Sequence, residues 1–240
     1  MSVLRKLRRL PERHPHELLL LLTALVLVCF AFPALDRLSY LFYSLIALLL
    51  GRLGGGRGNR WSDRCYRWLA ALALLAMWLW LLTPLNLVYS GVPLALSWGL
   101  LVGWSILRLI ERLAAEPLVN RPLLMGAIAG YLLLGLTAGL VMGAVETIQP
   151  GSFQPLELTR AALGDQGGSV LASSGAFAEI NYYAFVCLTT VGFGDISATL
   201  PLSQMLSVVT SVLGPLYMAV VMGVVIGRYA SAGDGGGKGS

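Results

Sequence analysis

Apolar residues in this chain come in long unbroken blocks, not at the alternating spacing of a half-buried strand or the three-and-four spacing of a surface helix. Crossing the hydrocarbon core of a bilayer takes roughly 20 apolar residues, in a range of about 17–25. Six blocks predict membrane helices: residues 18–35, 38–51 (extendable to 53), 68–82, 87–110, 123–145 and 202–227. Pro33, Asp36 and Arg37 mark a tight turn after the first, and Pro84 and Asn86 turn the chain after the third. Gly91 and Pro93 predict a soft break within the fourth. The fifth carries Gly126, Ala127, Gly130, Gly135, Ala138, Gly139 and Gly143, read as one small-residue side that lets another helix approach closely in lipid.

The pattern changes between the fifth and sixth blocks. Residues 146–177 are rich in Gly, Pro and Ser and read as a loop outside the membrane. Residues 178–189 turn apolar again but are too short to span, which suits a re-entrant helix. That helix runs directly into Thr189-Thr190-Val191-Gly192-Phe193-Gly194-Asp195, two glycines around one aromatic with a carboxylate behind.

Composition agrees with the blocks. Charged residues make up 12% of the 240-residue chain and hydrophobic ones 57%, whereas a soluble domain carries roughly 25% charged residues. The formal charge of +5 does not indicate nucleic acid, because the arginines have no stacking aromatics or binding fold beside them. Their distribution sets orientation. With the N-terminus in the cytoplasm, 15 of the 17 basic residues fall inside: those from Arg5 to Arg13, Arg52 to Arg67, Arg108 to Arg121, and Arg228 with Lys238. Only Arg37 and Arg160 fall outside, and a five- or seven-helix count breaks this asymmetry. The expectation is an all-α integral protein of the plasma (inner) membrane with both termini cytoplasmic. Its first helix is retained rather than cleaved as a signal, since no small-residue cleavage site follows the apolar run.

The segments are then a basic N-terminus (1–17), a four-helix bundle (18–112), a cytoplasmic linker (113–122), a second unit (123–229) and a flexible tail (230–240) that reads as linker with no regulatory domain. The Gly-rich loop 54–58, set among arginines, suits contact with anionic headgroups. Cys29, Cys65 and Cys187 are odd in number and lack metal or disulfide spacing, so reduced thiols are expected. Trp61, Trp68, Trp78, Trp80, Trp98 and Trp104 are read as interfacial belts and lipid-facing packing, and His14 and His16 as solvated residues before the first helix.

Irregular backbone at membrane depth is tolerated only where protein buries it or it lines a water-filled path. Glycine accepts positive φ without a Cβ clash, so Gly192 and Gly194 between side chains let successive carbonyls point the same way. At this point Thr190-Val191-Gly192-Phe193-Gly194-Asp195 resembles the selectivity filter of potassium channels, with Phe193 in place of the tyrosine of TVGYG. Tyr182-Tyr183 match the aromatic pair opening that family's pore helix, and Gly214, nineteen residues after Asp195, matches an inner-helix hinge glycine.

The resemblance covers 123–229: outer helix, loop 146–177, pore helix 178–189, filter 190–195 and inner helix 202–228. It implies that the carbonyls of Thr190, Val191, Gly192 and Phe193 coordinate K⁺, with Gly194 completing the filter and the Thr190 hydroxyl the innermost site. It further implies a brace and cation-attracting mouth at Asp195, a cuff from Tyr182 and Tyr183, and a pore-helix end at Leu188-Thr189 aimed below the filter. Val186 replaces a glutamate found behind the filter in some members, so an acid-pair brace to Asp195 is not expected. Pro215 implies a kink beside Gly214, and Gly223 and Gly227 a close bundle crossing.

The family reading implies no enzyme activity and no cofactor, K⁺ as the permeant ion, the bilayer and anionic lipids as partners, and a homotetramer, since one chain supplies one filter loop. A weakly selective cation channel, a non-conducting subunit and a transporter-like protein in which GFGD is only a turn are the alternatives. Helix four has no basic residue before Arg108, so a voltage-sensing ladder is not expected. Arg108 and Arg112 read as headgroup anchors near Glu111 and Glu116, without acids in the first four helices to pair with. Asp195, Glu179, Glu146, Glu157 and Asp165 face only Arg160 on the expected outer side. That balance is read equally as a cation-attracting vestibule or an ordinary solvated loop, with Glu146 the most suited to a structural partner.

Overall fold

The computed structural model describes residues 15–32, 35–53, 60–82, 91–115, 121–156 and 174–234. The basic segment before Pro15 with His14, the turns at Pro33, Pro84 and Asn86, the loop 54–58, Glu116, Glu157, Arg160, Asp165 and Lys238 lie outside the described residues. The described chain forms α1 (Pro15–Ala31), α2 (Asp36–Leu53), α3 (Arg60–Leu82), α4 (Gly91–Ala115), α5 (Arg121–Ile148), β1 (Phe153–Gln154), α6 (Ser174–Leu188), β2 (Ser197–Ala198) and α7 (Pro201–Asp234). The protein is all-α apart from the short β1–β2 ladder.

Among the described residues, three helices are long and apolar enough to cross a membrane: Pro93–Glu111 in α4, Leu124–Ile148 in α5 and Pro201–Val224 in α7. At 1.5 Å per residue, a 24-residue span reaches about 36 Å, more than the roughly 30 Å of a hydrocarbon core. The apolar stretches His16–Ala31 and Leu41–Arg52 are shorter. α3 has four charges in its first eight residues (Arg60, Asp63, Arg64 and Arg67), and only residues 68–82 follow uncharged. Gly91 and Pro93 do not break α4. They lie in its first turn, where proline's missing N–H has no intrahelical partner to lose.

α5 is the central strut, packed against α1, α4, α6 and α7. Its glycines occupy two faces, not one. A helix turns about 100° per residue, so Gly126 and Gly130 lie nearly opposite Gly135 and Gly139. The first pair receives His16, Leu109 and the Tyr217 ring; the second receives Phe185 and Asn181 of α6. Each glycine leaves room for a side chain from a neighbouring helix, which gives close packing where lipid supplies no hydrophobic drive.

The four N-terminal helices hold a partly buried charge pair that the sequence reading did not foresee. Arg108 Nη1 donates to Asp63 Oδ1 at 3.0 Å, and Nη2 donates to Ser62 Oγ at 2.7 Å. The guanidinium also lies over the Tyr66 and Trp104 rings, 4.8 and 5.7 Å from their centroids. Both side chains are about one-seventh exposed, at 14% and 15%. Arg108 is therefore a tie between α3 and α4 rather than a headgroup anchor. Its acid comes from α3, 45 residues away in sequence. Asp63→Ala leaves the guanidinium without its carboxylate, and a loss of about 1–3 kcal/mol of stability in detergent is expected. Replacing Asp63 and Arg108 together is expected to cost less than the sum of the single changes.

The tryptophans also divide. Trp61 and Trp68 are exposed on α3, as lipid-facing or interfacial rings would be. Trp98, however, is fully buried with its ring 5.2 Å from Tyr43, and Trp104 belongs to the arginine cage. His16 lines a cavity shared by α1 to α5 instead of standing in solvent before the first helix. All three cysteines are free thiols.

Candidate functional site

α6 is a 15-residue helix wedged between α5 and α7, and its N-terminal half also meets α1 through an edge-on contact of Phe30 with Phe177 at 5.5 Å. It starts at Ser174, four residues before the expected start. Its end is closed by a Schellman-type cap: the Val191 N–H bonds the Val186 carbonyl at 3.1 Å, and the Thr190 N–H bonds the Cys187 carbonyl at 3.0 Å. The Leu188 carbonyl accepts from the Tyr131 hydroxyl of α5 at 3.3 Å. Thr189 turns back on the last turn, its N–H and hydroxyl both bonding the Phe185 carbonyl.

A Schellman cap requires a left-handed residue, usually glycine. Here it is Thr190, at φ +59°. A β-branched side chain in this region is strained, and the cap bonds hold it there. Gly192 follows at +61° and Gly194 at +80°. Val191 and Phe193 are not among the positive-φ residues, so the handedness alternates from 190 to 194. Such alternation departs from the uniform negative φ of a strand. Residues 189–195 are all exposed, and Val191 and Phe193 are large apolar side chains more than half exposed. A Cβ added at Gly192 or Gly194 meets no atom within 4 Å.

Of the expected cuff pair, only Tyr182 turns to this stretch. Its hydroxyl donates to Asp195 Oδ2 at 2.7 Å, and its ring lies 5° from parallel to Phe193 at 6.4 Å. Donation to the carboxylate raises the phenol above its ordinary value, so the proton stays on Tyr182 at neutral pH. Tyr183 points the other way. It is buried, contacts Phe153 at 5.3 Å and shares a hydrogen bond of 2.9 Å with Ser207 of α7. Val186 is buried and contributes its backbone carbonyl to the cap.

α7 continues without interruption through Pro215, although that residue withdraws the N–H owed to the Ser211 carbonyl. Gly214 faces the end of α6: an added Cβ would overlap the Leu188 carbonyl oxygen. Gly214 is thus a contact position in addition to any hinge. Tyr217, three residues on, sends its hydroxyl to the Ala127 carbonyl of α5 at 2.6 Å. Among the described residues, an added Cβ at Gly223 or Gly227 meets no atom within 4 Å.

Beyond the stretch, β2 pairs antiparallel with β1, Ala198 opposite Phe153 and Ser197 opposite Gln154. Part of the expected loop 146–177 is therefore ordered structure. Glu146 is not a vestibule charge. It is fully buried, and its two carboxylate oxygens accept from the Gly151 and Phe153 amides. Among the described residues, no group of three His, Cys, Asp or Glu is placed to hold a metal ion.

Sequence comparison decides the class. A family model described as Ion channel matches residues 163–230. Residues 163–230 form an ion-channel domain. No curated protein and no solved structure matches the chain. The ion-channel domain comprises α6, the 189–195 stretch, the ladder strand β2 and nearly all of α7. α1 to α5 and β1 lie outside the match. Ion transport through an integral membrane protein, without enzymatic chemistry, is the role this domain gives the chain.

The sequence reading missed the residues that fix the domain in place: Tyr131, Tyr217, Ser203 and Ser207. None carries a local signal, because each acts through a partner on another segment: Tyr131, Tyr217 and Ser207 on another helix, Ser203 on the turn at Ser152.

Proposed function

We propose that the chain is a K⁺-selective channel in which four copies surround one axis and residues 190–194 of each form the filter. The observation that carries this reading is the alternation of left-handed Thr190, Gly192 and Gly194 with Val191 and Phe193, on backbone exposed in the single chain. Four such stretches give rings of carbonyl oxygens that replace the water shell of a dehydrated cation, and ions move by knock-on between adjacent sites.

The uncovered surface of α7 supports the four-fold arrangement. Within the chain, 61% of the spanning window of α5 is buried, against 22% for α7. Ser203, Thr210, Gly214, Tyr217 and Val221 are the buried side of α7, while Met205, Val208, Val212 and Leu216 are exposed. One copy leaves both the filter stretch and this face without partners; a ring of copies covers them. In this arrangement six helices cross the plasma membrane, the termini are cytoplasmic, and Asp195 with Tyr182 braces the outer mouth. Anionic lipids meet the arginine-rich inner ends.

Purified protein in planar bilayers tests the reading. Under bi-ionic K⁺/Na⁺ conditions, currents are expected to reverse at a potential set by K⁺, and images of the particle to show four-fold symmetry with ion density on the axis. A reversal potential near zero identifies a weakly selective cation channel instead. Particles without four-fold symmetry overturn the arrangement.

A further inference from the structure

Glu146 combines three features that a surface acid does not have. It is the last charged residue of α5, its side chain is fully buried, and each carboxylate oxygen takes one backbone amide, Gly151 N–H at 2.8 Å and Phe153 N–H at 2.9 Å. The amides belong to the reversal after α5, where Gly151 sits at φ +86°. Charge-assisted bonds of this kind are among the stronger ones a backbone makes. Their effect here is to hold residues 151–153 in one conformation.

That conformation is in turn the template for the chain just past the 190–195 stretch. The Ser152 carbonyl accepts from the Thr199 N–H at 2.9 Å and from Ser203 Oγ at 2.8 Å, and the Thr199 hydroxyl bonds the Gly151 carbonyl. Phe153 pairs with Ala198 in the ladder and packs its buried ring on Tyr183 of α6. Ser203 also accepts the Leu200 N–H, capping the first turn of α7. Residues 190–195 are thus anchored at one end by the α6 cap and at the other by the ladder three residues beyond Asp195. One buried carboxylate organises the second anchor.

We propose that Glu146 is a positioning residue of the permeation path: through the Gly151–Phe153 reversal and the β1–β2 ladder it fixes the outer end of the filter and so its ion selectivity. The proposal rests on the reading of residues 190–194 as the filter. Glu146 touches no permeating ion. It acts through Ser152 and Phe153 on Ala198 and Thr199, and through these on Gly194 and Asp195.

The test uses the full chain in its purified oligomeric form with Glu146→Gln, which keeps the shape but leaves one acceptor where two amides need one each. Thr199→Val is the second variant; it removes one bond of the same latch, the hydroxyl to the Gly151 carbonyl, from an exposed side chain. Two quantities are read, amide hydrogen exchange at residues 197–199 and the reversal potential under bi-ionic K⁺/Na⁺ conditions. The latter reports only conducting molecules, so a smaller folded fraction does not move it. In E146Q, exchange roughly 10- to 100-fold faster is expected, the factor for a lost hydrogen bond to a charged group. The reversal potential is expected to shift toward zero. T199V is expected to shift both in the same direction, and the double variant no further than E146Q.

Unchanged exchange in E146Q overturns the proposal, as does faster exchange with an unshifted reversal potential. If E146Q does not assemble, wild-type exchange and selectivity in T199V overturn it. A wild-type channel without K⁺ selectivity overturns the filter reading and this proposal together, whereas a selective wild type with equally selective variants overturns this proposal alone.

Discussion

Gly192→Ala is expected to abolish K⁺ flux from liposomes while leaving helix content and oligomer size unchanged. The reason is conformational. An alanine Cβ at this position meets no atom of the chain within 4 Å, so crowding within the subunit is not the cause. At φ +61° the residue occupies the left-handed region, which costs an L side chain about 1–2 kcal/mol. Four copies around one axis raise that to roughly 4–8 kcal/mol for the ring. The least costly relief is a return to negative φ, which rotates the adjacent peptide plane and turns a carbonyl away from the axis. A single misdirected ring leaves a dehydrated cation without its oxygens. Gly194, at φ +80°, is expected to behave in the same way.

Thr190 tolerates the same region because the α6 cap bonds hold it from both sides. Among the described residues, no hydrogen bond anchors Gly192. Selective flux retained by Gly192→Ala in a liposome assay would overturn the filter assignment.

The second large effect is expected at Gly214. An added Cβ would overlap the carbonyl oxygen of Leu188, which is backbone and already accepts from Tyr131. A side chain can rotate out of the way; a carbonyl at a capped helix end cannot. α7 must then move off α6, the helix that carries the 189–195 stretch. Overpacking of this kind costs about 1–3 kcal/mol, and Gly214→Ala is expected to lower the thermal midpoint accordingly.

Gly223→Ala is the control. That position is open within the chain and sits in the same helix, so alanine's better helix propensity adds up to about 1 kcal/mol there. A Gly214→Ala protein as stable as Gly223→Ala would show that contact with Leu188 is not what glycine provides at 214. The experiment also separates two roles for Gly214. A pure hinge changes conductance and leaves the midpoint in place, whereas a contact position moves the midpoint first.

Much of the architecture was legible because the bilayer imposes a length rule and a charge rule. Block lengths located the helices to within a few residues at most ends, and the short apolar run before Thr189 is a separate 15-residue helix, α6. The heptapeptide announced itself through glycines at alternate positions, and both glycines have positive φ in the structure. The errors share a cause. Pro93 was read as a break because proline signals either a break or a start, and only the observed start of α4 at Gly91 distinguishes them. Arg108 was read as a headgroup anchor because its partner Asp63 is 45 residues away. Glu146, by contrast, is the outer acid the sequence marks as most suited to a structural partner, and it has one in the Gly151 and Phe153 amides; which groups it holds is not written locally.

By itself the sequence determined which segments are apolar enough to leave water, where the one irregular stretch between them lies, and that its glycines permit left-handed backbone. These are properties of a residue and its near neighbours, so they are written locally. Only the tertiary structure decided what holds that stretch in place: the Tyr131 hydroxyl on the end of α6, the closeness of α7 at Gly214, the Tyr182–Asp195 bond, and the ladder organised by Glu146. Each depends on groups brought together from separate segments, and the packing angle and register that bring them together arise from the whole set of contacts, not from any one segment.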